Sequence, residues 1–194
     1  MPSDVGTNRI GGLEALIRAQ ATREPAPVEQ WDPPCCGDIG LSIRADGVWL
    51  YRDSPIARPA LVKLFAGVLR KDADGRHYLV TPAEKIDVAV DDAPFLAVEM
   101  EVRGAGASQS LIFRTNVDDI VAAGPEHPLR FAVEPDNSGL KPYLRVRGRL
   151  EALVTRALVH DLVEIAVEEG CGLGVWSGSA FFPMPDGMPG DSGT

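Results

Sequence analysis

Cysteine is scarce in this 194-residue chain: there are three, and two of them, Cys35 and Cys36, are adjacent. Three thiols cannot build a disulfide scaffold. Histidine is equally scarce, and His77, His127 and His160 share no helical or loop spacing, whereas a zinc centre takes about four ligands. Long apolar runs are missing as well. Residues 1–17 lack a basic segment followed by an apolar one, so no secretory leader is expected. The longest uncharged stretch, Gly170 to Met184, is broken by glycines and serines and is too short and too polar to span a bilayer. Basic charge is in deficit, with 19 Lys and Arg against 28 Asp and Glu and a net charge of −9. On average such a surface repels duplex nucleic acid and anionic membranes. The motifs GxSxG, GxxxxGK[ST], HExxH and paired CxxC are all absent, so no common nucleophile, nucleotide or metal signature is present. These absences lead us to expect a reduced, cytoplasmic, soluble protein with no cofactor, no metal and no disulfide.

What is present is hydrophobic periodicity. Hydrophobic residues make up 45% and charged residues 24%, the balance of a globular domain. Leu13, Leu16, Ile17 and Gln20 predict a short helix over 12–21. Pro25, Pro27, Pro33 and Pro34 then make residues 24–37 an extended connector. Leu41 and Ile43 alternate with Ser42 and Arg44, and Asp46-Gly47 is a strong hairpin signal ahead of Val48-Trp49-Leu50-Tyr51. Ser54-Pro55 reads as a helix entry. Leu61, Leu64, Phe65, Val68 and Leu69 then supply the apolar stripe of a helix over 58–70, ended by residues 72–75. Strands follow at 77–80, 86–90, 95–103, 110–115, 129–133 and 143–147. In the third of these, Leu96, Val98, Met100 and Val102 point one way and Glu99, Glu101 and Arg103 the other. Residues 136–139 read as a loop. Residues 150–168 read as the longest helix, capped by Gly170, residues 174–182 as a final strand, and Pro183 onward as a frayed tail.

The expected fold class is α+β, with two tandem strand-strand-helix-strand units and antiparallel strands between them. Residues 39–80 and 129–182 read alike, and helices 58–70 and 150–168 fall in corresponding places. The expected division is an N-terminal helix and linker over 1–30, a first unit over 31–93, a second over 94–184 and a tail over 185–194.

Several features carry chemistry in one reading and structure in another. Gly170-Cys171-Gly172-Leu173-Gly174 looks like a phosphate-cradling loop but follows a helix, so a helix cap and turn is favoured. Cys35 and Cys36 beside the proline connector read as idle thiols. Asp91-Asp92 and Asp118-Asp119 are acidic pairs that hold magnesium or serve acid–base chemistry in some sites and build turns in others; the turn is favoured. Arg58 stands at a helix start, where a cation opposes the helix dipole and calls for an anion. Tyr143, Arg145 and Arg147 share one strand face in this reading, and Arg149 follows. A ring beside guanidiniums suits a ring-plus-phosphate ligand, while a salt-bridged sheet face with Glu134 and Glu151 is the structural alternative.

Asp46-Gly47-x-Trp49, Ser54-Pro55-Ile56-x-Arg58, Leu61-Val62-x-Leu64-Phe65, Leu79-Val80-Thr81-Pro82-x-Glu84-Lys85, Pro94-Phe95, Thr115-Asn116, Pro142-Tyr143 and Leu150-Glu151-Ala152 occur in that order. Together they resemble a bacterial family, domain of unknown function 1285, over residues 30–182. The resemblance implies two related β-rich halves, the second similar to a pleckstrin-homology-like barrel closed by a helix. It also implies a cleft between the halves for a nucleotide-like ligand, in bacterial signalling. The expected function is non-catalytic binding of an anionic small molecule. The expected contacts are Trp49, Tyr51, Arg58, Thr81, Glu84, Lys85, Thr115, Asn116, Tyr143, Arg145 and Arg147. A metal-assisted hydrolase or transferase using Glu84, Asp92 or Glu151 is the second reading, and a protein–protein adaptor the third.

Overall fold

In the computed structural model, residues 26–134, 139–170 and 172–185 are described. The expected helix over 12–21, the loop at 136–138, Cys171 and the last nine residues lie outside them. The chain divides into two compact units, Met1–Asp91 and Asp92–Thr194.

In the first unit, β1 (Cys35–Ile43) pairs with β2 (Trp49–Tyr51) across the Asp46-Gly47 turn, placing Ile43 opposite Trp49. The Asp46 carboxylate accepts the Val48 N–H at 3.1 Å and Gly47 takes φ +79°, so the hairpin forms where the sequence marks it. The chain then reverses at Arg52-Asp53, both at positive φ, into β3 (Ser54–Pro55). Ser54 is therefore a strand residue and caps no helix. Helix α1 runs over Pro59–Gly67, with Pro59 in the first turn and no side-chain cap from Arg58. It is shorter than the pattern suggests, because Leu69 already belongs to β4 (Leu69–Lys71). A tight turn at residues 72–75 joins β4 to β5 (His77–Val80), and β6 (Lys85–Val90) follows. The sheet order is β3-β2-β1-β6-β5-β4, with β1 and β6 parallel and every other pair antiparallel. Trp49 stacks on Phe65 with ring centroids 6.1 Å apart. Helix α1 thus covers the face that carries Leu41, Ile43, Trp49 and Leu79, all buried.

The second unit is built from β7 (Phe95–Arg103), β8 (Ser110–Thr115), β9 (Ile120–Ala122), β10 (Leu129–Val133), β11 (Leu140–Arg147) and β12 (Leu150–Val154). Their order is β10-β11-β12-β7-β8-β9, with β12 and β7 parallel. Helix α2 (Arg156–Glu164) and a three-stranded sheet, β13 (Val167–Glu169), β14 (Gly172–Ser177) and β15 (Ala180–Pro183), complete it.

Four expectations change here. Residues 150–168 are not one helix: Leu150, Ala152 and Val154 are buried at a period of two, and β12 lies between β11 and β7. The last strand is a hairpin, because Gly178 and Ser179, both at positive φ, turn β14 into β15. Pro183 ends β15 and Met184 is buried, so the chain stays packed past the expected fraying point. The parity of β7 also breaks. A bulge lies between Ala97 and Glu99 where β7 pairs with β8. Phe95 and Ala97 are buried before it; afterwards Met100 and Val102 take the side opposite buried Phe113 and Leu111, Met100 half-buried and Val102 40% exposed near the strand's end. One inserted residue exchanges the faces of everything beyond it.

Among the described residues the expected α+β layout is therefore mostly β, with two nine-residue α-helices. Numbered within each unit, both six-stranded sheets read 3-2-1-6-5-4 with strands 1 and 6 parallel. The helices do not correspond: α1 falls between the third and fourth strands, whereas α2 follows the sixth. The residue match of 39–80 with 129–182 is thus not the one the strand order gives.

Candidate functional site

The shared strand order aligns two short sequences. On the fourth strand of each sheet stands a Leu-Arg pair, Leu69-Arg70 and Leu129-Arg130; on the fifth, a Tyr-Leu pair, Tyr78-Leu79 and Tyr143-Leu144. In both sheets leucine lies opposite leucine and arginine opposite tyrosine. Val80 N–H donates to the Val68 carbonyl beyond one pair, and Arg145 N–H donates to the Pro128 carbonyl beyond the other. The leucine row points into the core, so the arginine–tyrosine row lies on the outer face. A cation stands two residues before each tyrosine, Arg76 and Lys141.

In the second unit this row forms a compact charged cluster. The Arg130 guanidinium lies 4.1 Å from the centre of the Tyr143 ring and grips Glu151 with two bonds of 3.1 and 2.8 Å. Tyr143 donates its hydroxyl to Asp92 at 2.8 Å, and the Lys141 ammonium pairs with the same carboxylate. Burial first, and then the Asp92 bond, push the Tyr143 phenol above its ordinary range; the Asp92 bond also raises Lys141. Arg145, two residues along the same face, is exposed and pairs with no described carboxylate. The Tyr143 ring itself is buried beneath Arg130, and of the three cations Arg145 is the one with no carboxylate partner among the described residues.

In the first unit the row is covered. Arg70, buried, donates to the Val28 carbonyl at 2.7 Å, to the Trp31 carbonyl at 2.6 Å and to Asp72 at 2.6 Å. Burial pushes the Asp72 carboxyl up, but the Arg70 and Lys85 bonds outweigh it and hold it below the usual range. Lys85 lies 4.0 Å from the centre of the Tyr78 ring, and Tyr78 donates to Asp74 at 2.9 Å.

The remaining predicted contacts fall as follows. Trp49 is buried against Phe65; Tyr51 is exposed with Arg52 over its ring; Arg58 is exposed at the start of α1. The Thr81 hydroxyl accepts the Ala83 and Glu84 N–H groups and so builds the turn between β5 and β6. The Thr115 hydroxyl, fully buried, does the same for Val117 and Asp119, and the Asn116 side chain accepts the Leu96 N–H at 3.0 Å. Arg147 does not share the face of Tyr143. A register shift intervenes after Arg145, and its guanidinium lies over the core ring of Phe95 at 5.2 Å, bonded to Asp119 at 2.8 Å. The structure therefore brings Tyr143 and Arg145 together and adds Arg130 and Lys141, which the sequence reading missed. Their signal was the repeated Leu-Arg and Tyr-Leu pairs.

Asp92 and Glu151 are engaged by cations, and the exposed Cys35 and Cys36 are free. Among the described residues no group of three or more His, Cys, Asp or Glu side chains is placed to hold a metal ion, and no described helix is long and apolar enough to cross a membrane. The fold and the cluster define a tandem of two six-stranded β units with a charged tyrosine row on each.

Two family models match the chain, the N-terminal domain of DUF1285, a domain of unknown function, over residues 26–93, and the C-terminal domain of the same family over residues 94–184. The chain belongs to the DUF1285 family. It is similar to the crystal structure of a DUF1285 family protein from Silicibacter pomeroyi DSS-3, with 44% identity over 87% of this chain and 93% of that one and a TM-score of 0.80. A second, from Shewanella baltica OS155, shares 28% identity over 64% of this chain and 91% of that one, with a TM-score of 0.51. No curated protein matches the chain.

Proposed function

We propose that this is a non-catalytic binding protein whose second unit takes an anionic small molecule, nucleotide-like or otherwise phosphate-bearing, on the outer row of Arg130, Lys141, Tyr143 and Arg145, in a signalling role. The observation that supports this most is Arg145, an exposed guanidinium without a carboxylate partner among the described residues, on the same face as Arg130 and Lys141 in a protein of net charge −9. Guanidinium forks bind phosphate in two-bond geometry. A local cluster of cations focuses positive potential even on an acidic molecule. The likeness of the second unit to a pleckstrin-homology-like barrel belongs to the same reading, with α2 in the place of the closing helix.

The test is a thermal-shift titration with inorganic phosphate and with ATP. A ligand that binds only the folded state raises the melting temperature. The expected result is a rise of several degrees in the native protein that is lost in Arg145→Glu. No rise with either probe, or an equal rise in the variant, contradicts the reading.

A further inference from the structure

We propose that the three-stranded sheet of the second unit is a docking site for an arginine side chain of a partner protein, held by Trp176, Phe181 and Glu169. The ligand is opposite in charge to the anion discussed above, so the inference stands independently of that reading. Val175, Ser177 and Phe182 are buried and turn one face of this sheet into the core. Alternation along β14 and β15 therefore places Trp176 and Phe181, opposite each other in register, on the outer face. Both rings are partly exposed, with centroids 5.4 Å apart and planes tilted by 58°. Gly172 and Gly174 add no side chain to that face, and the Phe181 ring lies close over Gly174. On β13, Glu169 accepts the Trp176 indole N–H at 3.1 Å. Glu169 and its neighbour Glu168 are exposed, and neither forms an ion pair among the described residues. Val167, 40% exposed, and the exposed Pro183 flank Gly174 in register and complete the face.

The chain builds the complete form of this unit elsewhere, as a ring, a cation over it and a carboxylate bonded to the cation. Arg130 lies over Tyr143 and bonds to Glu151; Lys85 lies over Tyr78 and bonds to Asp72; Arg147 lies over Phe95 and bonds to Asp119. At Trp176 the ring and the carboxylate are present, and no described cation lies over either ring. Tryptophan attracts a cation over its face more strongly than the other aromatic side chains do. A guanidinium lies flat on such a ring while it donates in its own plane to a carboxylate, which a quaternary ammonium cannot do. One Glu169 oxygen takes the indole N–H and the other is left for the guanidinium. An arginine also brings an aliphatic stem that covers apolar surface, here Val167 and Pro183, which a free guanidinium would not use. Charge complementarity and the apolar margin together select an arginine carried on a chain.

The probe is the peptide acetyl-Gly-Arg-Gly-amide, titrated into the isotope-labelled full chain and followed by the indole N–H signals. The chain has three tryptophans, and Trp176→Phe identifies the signal that belongs to the site. A saturable shift of the Trp176 signal is expected, with those of Trp31 and Trp49 unmoved. Glu169→Gln keeps an acceptor for the indole and removes the charge; it is expected to weaken binding about tenfold, as for the loss of a charge-assisted bond. The same peptide with citrulline in place of arginine keeps the shape without the charge and is expected to give no saturable shift. Absence of a shift with the arginine peptide overturns the inference, as does an equal shift with the citrulline peptide or an unchanged affinity in Glu169→Gln. Methylguanidinium binding as tightly as the arginine peptide overturns the assignment to a chain-borne arginine, because the stem would then contribute nothing.

Discussion

His77 shows how one buried side chain sets a response of the whole molecule. It lies in β5, 8% exposed, opposite Lys71 on β4, and its Nε2 has no hydrogen-bond partner among the described residues. Burial first, and then the charge of Lys71, lower its pKa from 6.5 to about 4. The folded protein therefore keeps His77 neutral where an unfolded chain would take up a proton. Stability is at its full value above pH 6.5 and falls progressively as the pH drops toward 4, because the unfolded state binds the proton first. Replacing His77 by Leu removes this dependence. Urea unfolding at a series of pH values is expected to show a steeper decline between pH 6.5 and about 4 in the native protein than in His77→Leu. Parallel curves would show that His77 does not titrate differently in the two states.

At the scale of elements, the hairpin of β14 and β15 offers the sharpest steric test. A Cβ on Gly174 would run into the Phe182 carbonyl and lie 2.6 Å from the Phe181 ring. Gly174→Ala is expected to cost about 1–3 kcal/mol, the range for overpacking. Gly170 has nothing within 4 Å of its Cβ position, so Gly170→Ala is expected to be nearly neutral. Equal losses at the two glycines in denaturant melts would contradict this packing. The elements also show where the sequence was legible. Asp46-Gly47 marks its hairpin because the turn chemistry is local, and β5 and β8 read correctly because each is bounded by turn residues. Residues 150–154 misled because Leu150, Leu153 and Val154 fit a helix as well as Leu150, Ala152 and Val154 fit a strand. The arbiter is pairing with β11 and β7, which is non-local. The bulge in β7 leaves no mark in composition, so the exchange of faces after Ala97 could not be read from alternation alone.

At the scale of the whole molecule, the two units share a strand order but not a helix position, and this is why the repeat was misaligned in the sequence. Arg70 and Tyr78 are eight positions apart, and Arg130 and Tyr143 thirteen; the unequal spacer hides the match. Of the candidate site, Tyr143 and Arg145 were legible as a polar stripe on an apolar strand. Arg147 was not, because a register shift turns it onto Phe95. Thr81, Thr115 and Asn116 carry the family pattern because they cap turns and a strand edge, work that requires no ligand. On the proposed reading the binding face is the outer row of the second unit, where Arg145 is exposed, while its counterpart on the first is covered by Val28 and Trp31. The most direct measurement is a two-dimensional NMR titration of the isotope-labelled protein with ATP. The account predicts that the shifts concentrate on the backbone and side-chain signals of Arg130, Lys141, Tyr143 and Arg145, with Arg70 and Tyr78 unmoved. Shifts centred on the first unit, or none at saturating ATP, would contradict it.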